Sequence, residues 1–328
     1  MKLFLQKELL LSCLEEGKIL PIHLQLNPTN KCNFNCSFCS CSARDKMQEL
    51  PLPEIMKFMD MFLTLGGKSV TITGGGEPSM HQDFSQMIMG IARRGIDIGL
   101  VTNGTLMNRI DEVLDYVTWV RISSSDNLPL QLKYIKRDVT TWLQRIAESV
   151  LDHPTVDWAF SHVVTQKDSL ACMKTDSHLV AKIIRFANTH DFTHVRLVND
   201  IFMADELEAT MHGLKAHLVN YLGLDCSKVN FQDRSTWTKG TTPCYISILK
   251  PVLGADGYLY PCCGTQYALG NPSRDYEKTM QLGYMTDFEK LVEEQRFFNG
   301  RVCAKCYYSG YNQMLGVMVH SLNHVNFV

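Results

Sequence analysis

The chain has 328 residues, 45% of them apolar and 20% charged, with a formal net charge of −2. That is ample material for a sizeable core, and a near-neutral chain has no global electrostatic pull toward nucleic acid or an anionic membrane. Lys7, Glu8, Glu15, Glu16 and Lys18 interrupt any signal-peptide core in Met1–Leu20, and no apolar run is long enough to span a bilayer, so a cytoplasmic protein is expected.

Strand-like apolar runs alternate with helical patterns along the first two thirds of the chain. The period-2 and period-3.6 signals predict a strand over Ile22–Leu26, a helix over Pro53–Leu65 ended by Gly66-Gly67, and a strand over Ser69–Thr73. A helix over Asp83–Arg94, a strand over Ile98–Thr102, a short helix near Ile110–Tyr116 and a strand over Trp119–Ser123 follow. Asp126–Arg137 is polar and gives no clear period. Lys133, Lys136 and Arg137 make it either a substrate-gripping loop or a solvated surface. Helix Val139–Leu151, strand Val156–Val164, helix Ser177–Thr189, strand His194–Val198 and helix Ala204–Leu222 complete six βα units.

Six such units predict an α/β fold with a parallel sheet, with chemistry at the carboxyl ends of the strands. Past residue 225 the rhythm changes. Ile246–Leu253 and Tyr258–Tyr260 read as strands joined by Gly254-Ala255-Asp256-Gly257, a hairpin signal, and Asp287–Phe298 as a helix.

The chain has twelve cysteines, unevenly placed. In a reducing compartment, clustered cysteines read as metal ligands rather than disulfides. Cys13, Cys172 and Cys226 stand alone and read as small buried hydrophobes. Cys32, Cys36 and Cys39 follow the first strand with C-x3-C-x2-C spacing. Three thiolates can ligate three irons of a four-iron cubane and leave the fourth open. Structural zinc and electron-transfer clusters usually close with four protein ligands. Cys41 stands two residues after Cys39, awkwardly close for a fourth ligand to one compact cluster.

In this loop the sequence resembles the radical S-adenosylmethionine (radical SAM) superfamily, and the likeness covers most of Ile22–Val198. It implies a partial (β/α)6 barrel of the TIM type over residues 1–225. It also implies a SAM-binding [4Fe-4S] cluster held by Cys32, Cys36 and Cys39, with Phe38 beside SAM. The Thr73–Pro78 segment, with Gly74, Gly75, Gly76 and Glu77, would face the SAM amino group; a plain strand-to-helix turn is the other reading. Asn103, in Thr102-Asn103-Gly104, lines the pocket or simply makes a turn. Ser123, Ser125 and Asp126 are candidates for the ribose and carboxylate of SAM, or ordinary strand-end polar groups. Arg196, a cation in an apolar strand, meets the SAM carboxylate, a substrate acid or a structural partner.

The second cysteine group has Cys244, twelve residues, Gly257, four residues and Cys262, then Cys303-Ala304-Lys305-Cys306. It resembles the Twitch and SPASM extensions of radical SAM enzymes. With no cysteine after Cys306 in this sequence, the shorter Twitch-like form is expected, as a small β-hairpin/α domain over residues 226–328. The likeness implies an auxiliary [4Fe-4S] cluster on Cys244, Cys262, Cys303 and Cys306. Zinc on the same four thiols, or Cys263 in place of Cys262, remain open.

The resemblance implies an enzyme that reductively cleaves SAM to a 5′-deoxyadenosyl radical and takes hydrogen from a substrate C–H bond. It would draw electrons from an external donor such as flavodoxin or ferredoxin. A peptide, a small metabolite and a nucleotide all stand as substrates. A non-catalytic iron–sulfur or zinc redox sensor is the reading from another class.

Overall fold

The computed structural model describes residues 5–39, 41–42, 45–165, 179–200, 203, 208–232, 238–263 and 280–320. Cys172 and the starts of the helices expected at 177–178 and 204–207 lie outside them.

Helix α1 (Lys7–Leu11) leads into a wide turn and then β1 (His23–Leu26). The barrel continues through α2 (Leu52–Thr64), β2 (Ser69–Ile72), α3 (Phe84–Ala92), β3 (Asp97–Thr102), α4 (Met107–Asp111) and β4 (Trp119–Ser125). Then come α5 (Leu128–Tyr134), α6 (Val139–Asp152), β5 (Asp157–Val164), α7 (Leu179–Thr189), β6 (His194–Asn199), α8 (Glu208–Ala216) and β7 (Val229–Gln232). The C-terminal part holds α9 (Ile246–Leu249), β8 (Val252–Leu253), β9 (Tyr258–Tyr260), β10 (Gly283–Tyr284), α10 (Phe288–Glu293) and α11 (Ser309–Val319).

Among the described residues ten strands form one sheet, ordered β10-β9-β8-β1-β2-β3-β4-β5-β6-β7, in which β1 to β7 are parallel. The expected partial barrel is present, with a seventh parallel strand beyond residue 225. The predicted hairpin forms as β8 and β9, and β8 pairs in parallel with β1. The C-terminal segment therefore covers the sheet edge that β1 would otherwise expose. Further ties hold it there: Phe58 of α2 and Phe288 of α10 have ring centroids 5.5 Å apart, and the Gln295 side chain bonds both the N–H and C=O of Ile19.

Three expectations are corrected. Ile246–Leu249 is a helical turn, not a strand; all four residues are buried, and burial on every side erases the periodicity that separates the two. The unread stretch holds α5, whose Pro129 near the first helical position suits a start with no hydrogen-bonded N–H. The helix expected over Asp287–Phe298 stops early, with Gln295 in the left-handed region.

The strand register separates two faces. One carries Leu24, Leu26, Val70, Ile72, Ile98, Leu100, Val120, Ile122, Phe160, Val195 and Leu197, each 1% exposed or less. These meet the outer helices; Phe160 lies 6.0 Å from Trp142 of α6 and 5.9 Å from Phe186 of α7, centroid to centroid. Burying each such side chain contributes roughly 1.5–3 kcal/mol. The opposite face looks into the barrel and is largely polar: beside Val101, Trp119, Ala159, Val163 and Val198 it carries His23, Gln25, Ser69, Thr71, Arg121, Ser123, Ser125, Ser161, His194, Arg196 and Gln232.

Candidate active site

The Cys32–Cys39 loop leaves the carboxyl end of β1 and is held from three sides. Beneath it, Gly76 N–H donates to Thr29 C=O at 2.9 Å and Glu77 N–H to Lys31 C=O at 2.8 Å. A Cβ on Gly76 would lie 2.1 Å from Lys31 O, so only glycine lets the two backbones approach this closely. Beside it, Asn103 Nδ2 donates to Asn33 Oδ1 at 2.8 Å, and Asn33 Nδ2 to Thr105 Oγ1 at 2.8 Å. On the far side, Gln131 of α5 brackets Asn35: its Oε1 accepts the Asn35 N–H at 3.0 Å and its Nε2 donates to the Asn35 C=O at 3.2 Å.

Within the loop, Cys39 N–H donates to Cys36 C=O at 3.1 Å and Phe34 N–H to Cys32 Sγ at 3.4 Å. Phe34 packs on the core, and Phe38 is half-buried in the turn between Cys36 and Cys39. Burial raises the Cys32 thiol above its ordinary pKa and pushes Cys36 up to about 11. Cys39 is raised mainly by its hydrogen bond with Cys41, then by burial. Ligation must therefore displace thiol protons. No three potential metal ligands converge on one point among the described residues. A cubane does not ask for that, because it spreads its thiolates over separate irons. Three thiols on a loop shaped by glycine, one of them accepting an N–H, fit such a cluster.

Glu77 is 3% exposed and spends both oxygens on protein. Oε1 accepts from Thr102 Oγ1 at 2.6 Å and Ser79 Oγ at 2.7 Å, and Oε2 from Asn103 N–H at 2.8 Å. Burial raises its pKa, against these bonds. In this geometry Glu77 and Asn103 fasten the ends of β2 and β3 to each other and, through Asn33, to the cysteine loop. Asn103 also makes a turn, its Oδ1 accepting the Thr105 N–H at 2.9 Å.

Ser123 and Ser125 lie on the inner face of β4, and Ser161 and Arg196 sit in register with Ser123 across β5 and β6. Arg196 Nε donates to Gln232 Oε1 of β7 at 2.6 Å. Ser124 points the other way, toward fully buried His162, its Oγ 3.0 Å from Nδ1. His162 Nε2 reaches Asp126 Oδ1 at 2.9 Å, and Asp126 Oδ2 accepts the Thr165 N–H at 2.7 Å. Asp126 thus ties the β4 and β5 ends together. The sequence gives no local signal for this relay, because its members come from two strands.

The second cysteine group is assembled from distant segments. Cys244 N–H donates to Phe298 C=O at 3.0 Å, Gly240 N–H to Cys303 C=O at 3.0 Å and Cys306 N–H to Thr238 C=O at 2.6 Å. A Cβ on Gly240 would lie 2.1 Å from Gly300 O, a close approach that the sequence reading missed. Burial, with smaller contributions from Cys306 and Cys303, pushes Cys244 up to about 11, so these thiols lie within electrostatic reach of one another. Asn312 Nδ2 donates to Cys244 Sγ at 3.6 Å, and Cys306 accepts N–H bonds from Tyr308 and Ser309. Cys263 lies 3.5 Å from Tyr308 Oη, while Cys262 packs half-buried on the core.

The site is thus a loop of three cysteines that follows the first strand of a partial parallel barrel. Residues 26–145 match the model of the Radical SAM superfamily, so this stretch of the chain is similar to radical SAM enzymes. Such enzymes use SAM and a [4Fe-4S] cluster and need an external reductant. Over 98 residues the chain is 36% identical to the GTP 3′,8-cyclase of Stenotrophomonas maltophilia (strain K279a), covering 28% of this chain and 29% of that protein. The GTP 3′,8-cyclase of Staphylococcus aureus (strain bovine RF122 / ET3-1) is 29% identical over 202 residues, covering 54% of this chain and 59% of that one. The chain thus spans less than two thirds of the length of either relative. In fold it is similar to Streptococcus suis SuiB bound to its precursor peptide SuiA, with a TM-score of 0.59 and 14% identity over 94% of this chain and 76% of that one. It is also similar to anSMEcpe bound to AdoMet and a Kp18Cys peptide, with a TM-score of 0.53 and 17% identity over 86% and 82%. Among the described residues no helix is long and apolar enough to cross a membrane.

Proposed function

We propose that the protein modifies an unactivated C–H bond of a peptide or small metabolite held inside the barrel. The observation that carries this is the Cys32–Cys39 loop, seated at the carboxyl end of β1 beside a largely polar inner face of the sheet. Cys32, Cys36 and Cys39 would hold the cluster. When bound, the cluster and SAM supply one-electron cleavage of the S–C5′ bond and a 5′-deoxyadenosyl radical able to take hydrogen from carbon.

The chain's own residues position and shield. Phe38 and the Gly74–Gly76 backbone border the SAM site. Ser123, Ser125 and Arg196 offer hydroxyls and a guanidinium to its ribose and carboxylate, while Glu77 and Asn103 act indirectly, by holding the loop. The apolar outer face keeps water from reaching the reacting centre through the wall.

The division of labour follows the chain: residues 1–225 carry the SAM chemistry, and 226–328 a Twitch-like second site on Cys244, Cys262, Cys303 and Cys306. A [4Fe-4S] cluster there would accept an electron and make the net reaction an oxidation. Modification of a nucleotide is the second reading, favoured by the sequence likeness to GTP 3′,8-cyclases. The test is anaerobic reconstitution followed by dithionite and SAM. The wild type is expected to form 5′-deoxyadenosine and Cys32→Ala none; an inactive wild type with a full complement of iron would favour the sensor reading.

A further inference from the structure

The outer rows of β4 and β5 change character at their carboxyl ends. Val120 and Ile122 of β4 and Phe160 of β5 are apolar and fully buried. Two residues further along the same rows stand Ser124 and His162, paired in register, and Asp126 follows Ser124 by two more. The His162 side chain is 0% exposed and that of Asp126 8%. An imidazole in such a row costs desolvation that a leucine would not, and it is tolerated because both ring nitrogens are paired. A carboxylate only accepts, so Nε2 carries a hydrogen and donates to Asp126 Oδ1 at 2.9 Å, while Nδ1 pairs with Ser124 Oγ at 3.0 Å.

Serine, histidine and aspartate in a chain also describe an activated nucleophile. Here Ser124 lies on the face turned to the outer helices, away from the barrel interior, so the relay holds geometry instead. Asp126 is the root of a short arm formed by Asn127 and helix α5. At the far end of that arm, Asn127 Nδ2 donates to Ser37 Oγ at 3.2 Å, and Gln131 brackets the Asn35 backbone at 3.0 and 3.2 Å. Asn35 and Ser37 are the two chain neighbours of Cys36, so one arm grips the loop on both sides of its middle thiol. The root is fixed in turn to β5: one Asp126 oxygen takes the His162 ring, the other the Thr165 N–H at 2.7 Å. A buried polar network of this kind specifies one arrangement where apolar packing would allow several.

We infer that His162 is a positioning residue for Cys36: through Asp126 it fixes the arm whose Asn127 and Gln131 side chains hold the cysteine loop in the shape a cluster needs. His162 touches neither the loop nor SAM. The inference deepens the reading of the loop as the SAM-binding cluster site and rests on it.

The test is the anaerobic decay of the SAM-responsive electron paramagnetic resonance signal of the reduced, reconstituted enzyme in the presence of an iron chelator. His162→Leu, which removes both ring bonds, is expected to speed the decay about tenfold or more, the size of effect typical of residues that support metal ligands from behind. His162→Gln, which keeps an N–H for Asp126, is expected to restore most of the lifetime. The double variant His162→Leu/Gln131→Leu is expected to decay no faster than the faster single variant, because both residues act along one path. Unchanged decay in His162→Leu, even with a lower Tm, overturns the inference, as do effects that multiply in the double variant. A wild type with no SAM-responsive signal instead strikes the reading of the loop itself, and this inference with it. Should His162→Leu not fold, Asp126→Asn is expected to speed the decay several-fold, and unchanged decay there also overturns the inference.

Discussion

The two cysteine groups use opposite strategies. Cys32, Cys36 and Cys39 sit on eight consecutive residues, and the fold clamps that one loop with Gly76, Asn103 and Gln131. Cys244, Cys262, Cys303 and Cys306 come from three distant stretches, joined mainly by backbone bonds between 238–244 and 298–306. A local loop can present its thiols once the barrel stands. A dispersed set must bring its own chain segments together, so metal binding at the proposed second site would be coupled to folding. The first group should respond to mutation mainly in activity, the second in both metal content and stability.

The largest effect should follow Cys36→Ala, which removes a loop thiol without touching the barrel core. SAM cleavage is expected to fall to background while circular dichroism stays native. Next, Cys303→Ala should lower bound iron from roughly eight to roughly four per chain and lower Tm, yet keep SAM cleavage. Retention of all the iron would show that the second site does not use Cys303, and zinc in the wild type would replace the cluster there.

Gly76→Ala sharpens the contrast from the other side. Its Cβ would lie 2.1 Å from Lys31 O, so the cysteine loop must shift. The expected stability cost is about 1–3 kcal/mol by denaturant unfolding, with a disproportionate loss of activity. Gln131→Leu keeps helix α5 but frees Asn35, and cluster retention or activity should fall about 10- to 100-fold, as for other outer-shell partners.

The smallest effect is a pH dependence away from both groups. His23 donates to or accepts from Ser69 Oγ at 2.8 Å and Thr71 Oγ1 at 2.9 Å. Burial, then Lys250, lowers its pKa from 6.5 to about 3. The folded pKa is depressed, so the unfolded chain binds the extra proton between these values. This contribution is complete above pH 6.5 and is lost as pH falls toward 3. Between pH 6.5 and 5, stability should fall by up to about 1.4 kcal/mol per pH unit, and His23→Gln should flatten that slope in denaturant titrations.

The legible parts were those set by local pattern. Alternating strands and helices, the three-cysteine loop and the Asp256-Gly257 hairpin can all be read within a dozen residues. What escaped depends on contacts across the fold. Ser124, His162 and Asp126 meet because β4 and β5 pair in one register. Arg121 reads as a lone charge until the register places it with His194. Helix α9 is hidden by burial on all sides, and β7 by its isolation after α8. The reading of Glu77 as a group facing SAM could not anticipate that Thr102, Ser79 and Asn103 would occupy its oxygens.

The central claim is that the Cys32–Cys39 loop leaves one metal corner for SAM. Its most direct test is electron paramagnetic resonance of the reduced Cys303→Ala enzyme, which isolates the loop's cluster, recorded before and after adding SAM. The account predicts a [4Fe-4S] signal whose g values move when SAM binds and which Cys36→Ala abolishes. A signal that SAM leaves unchanged would mean the corner is already capped, and would contradict it.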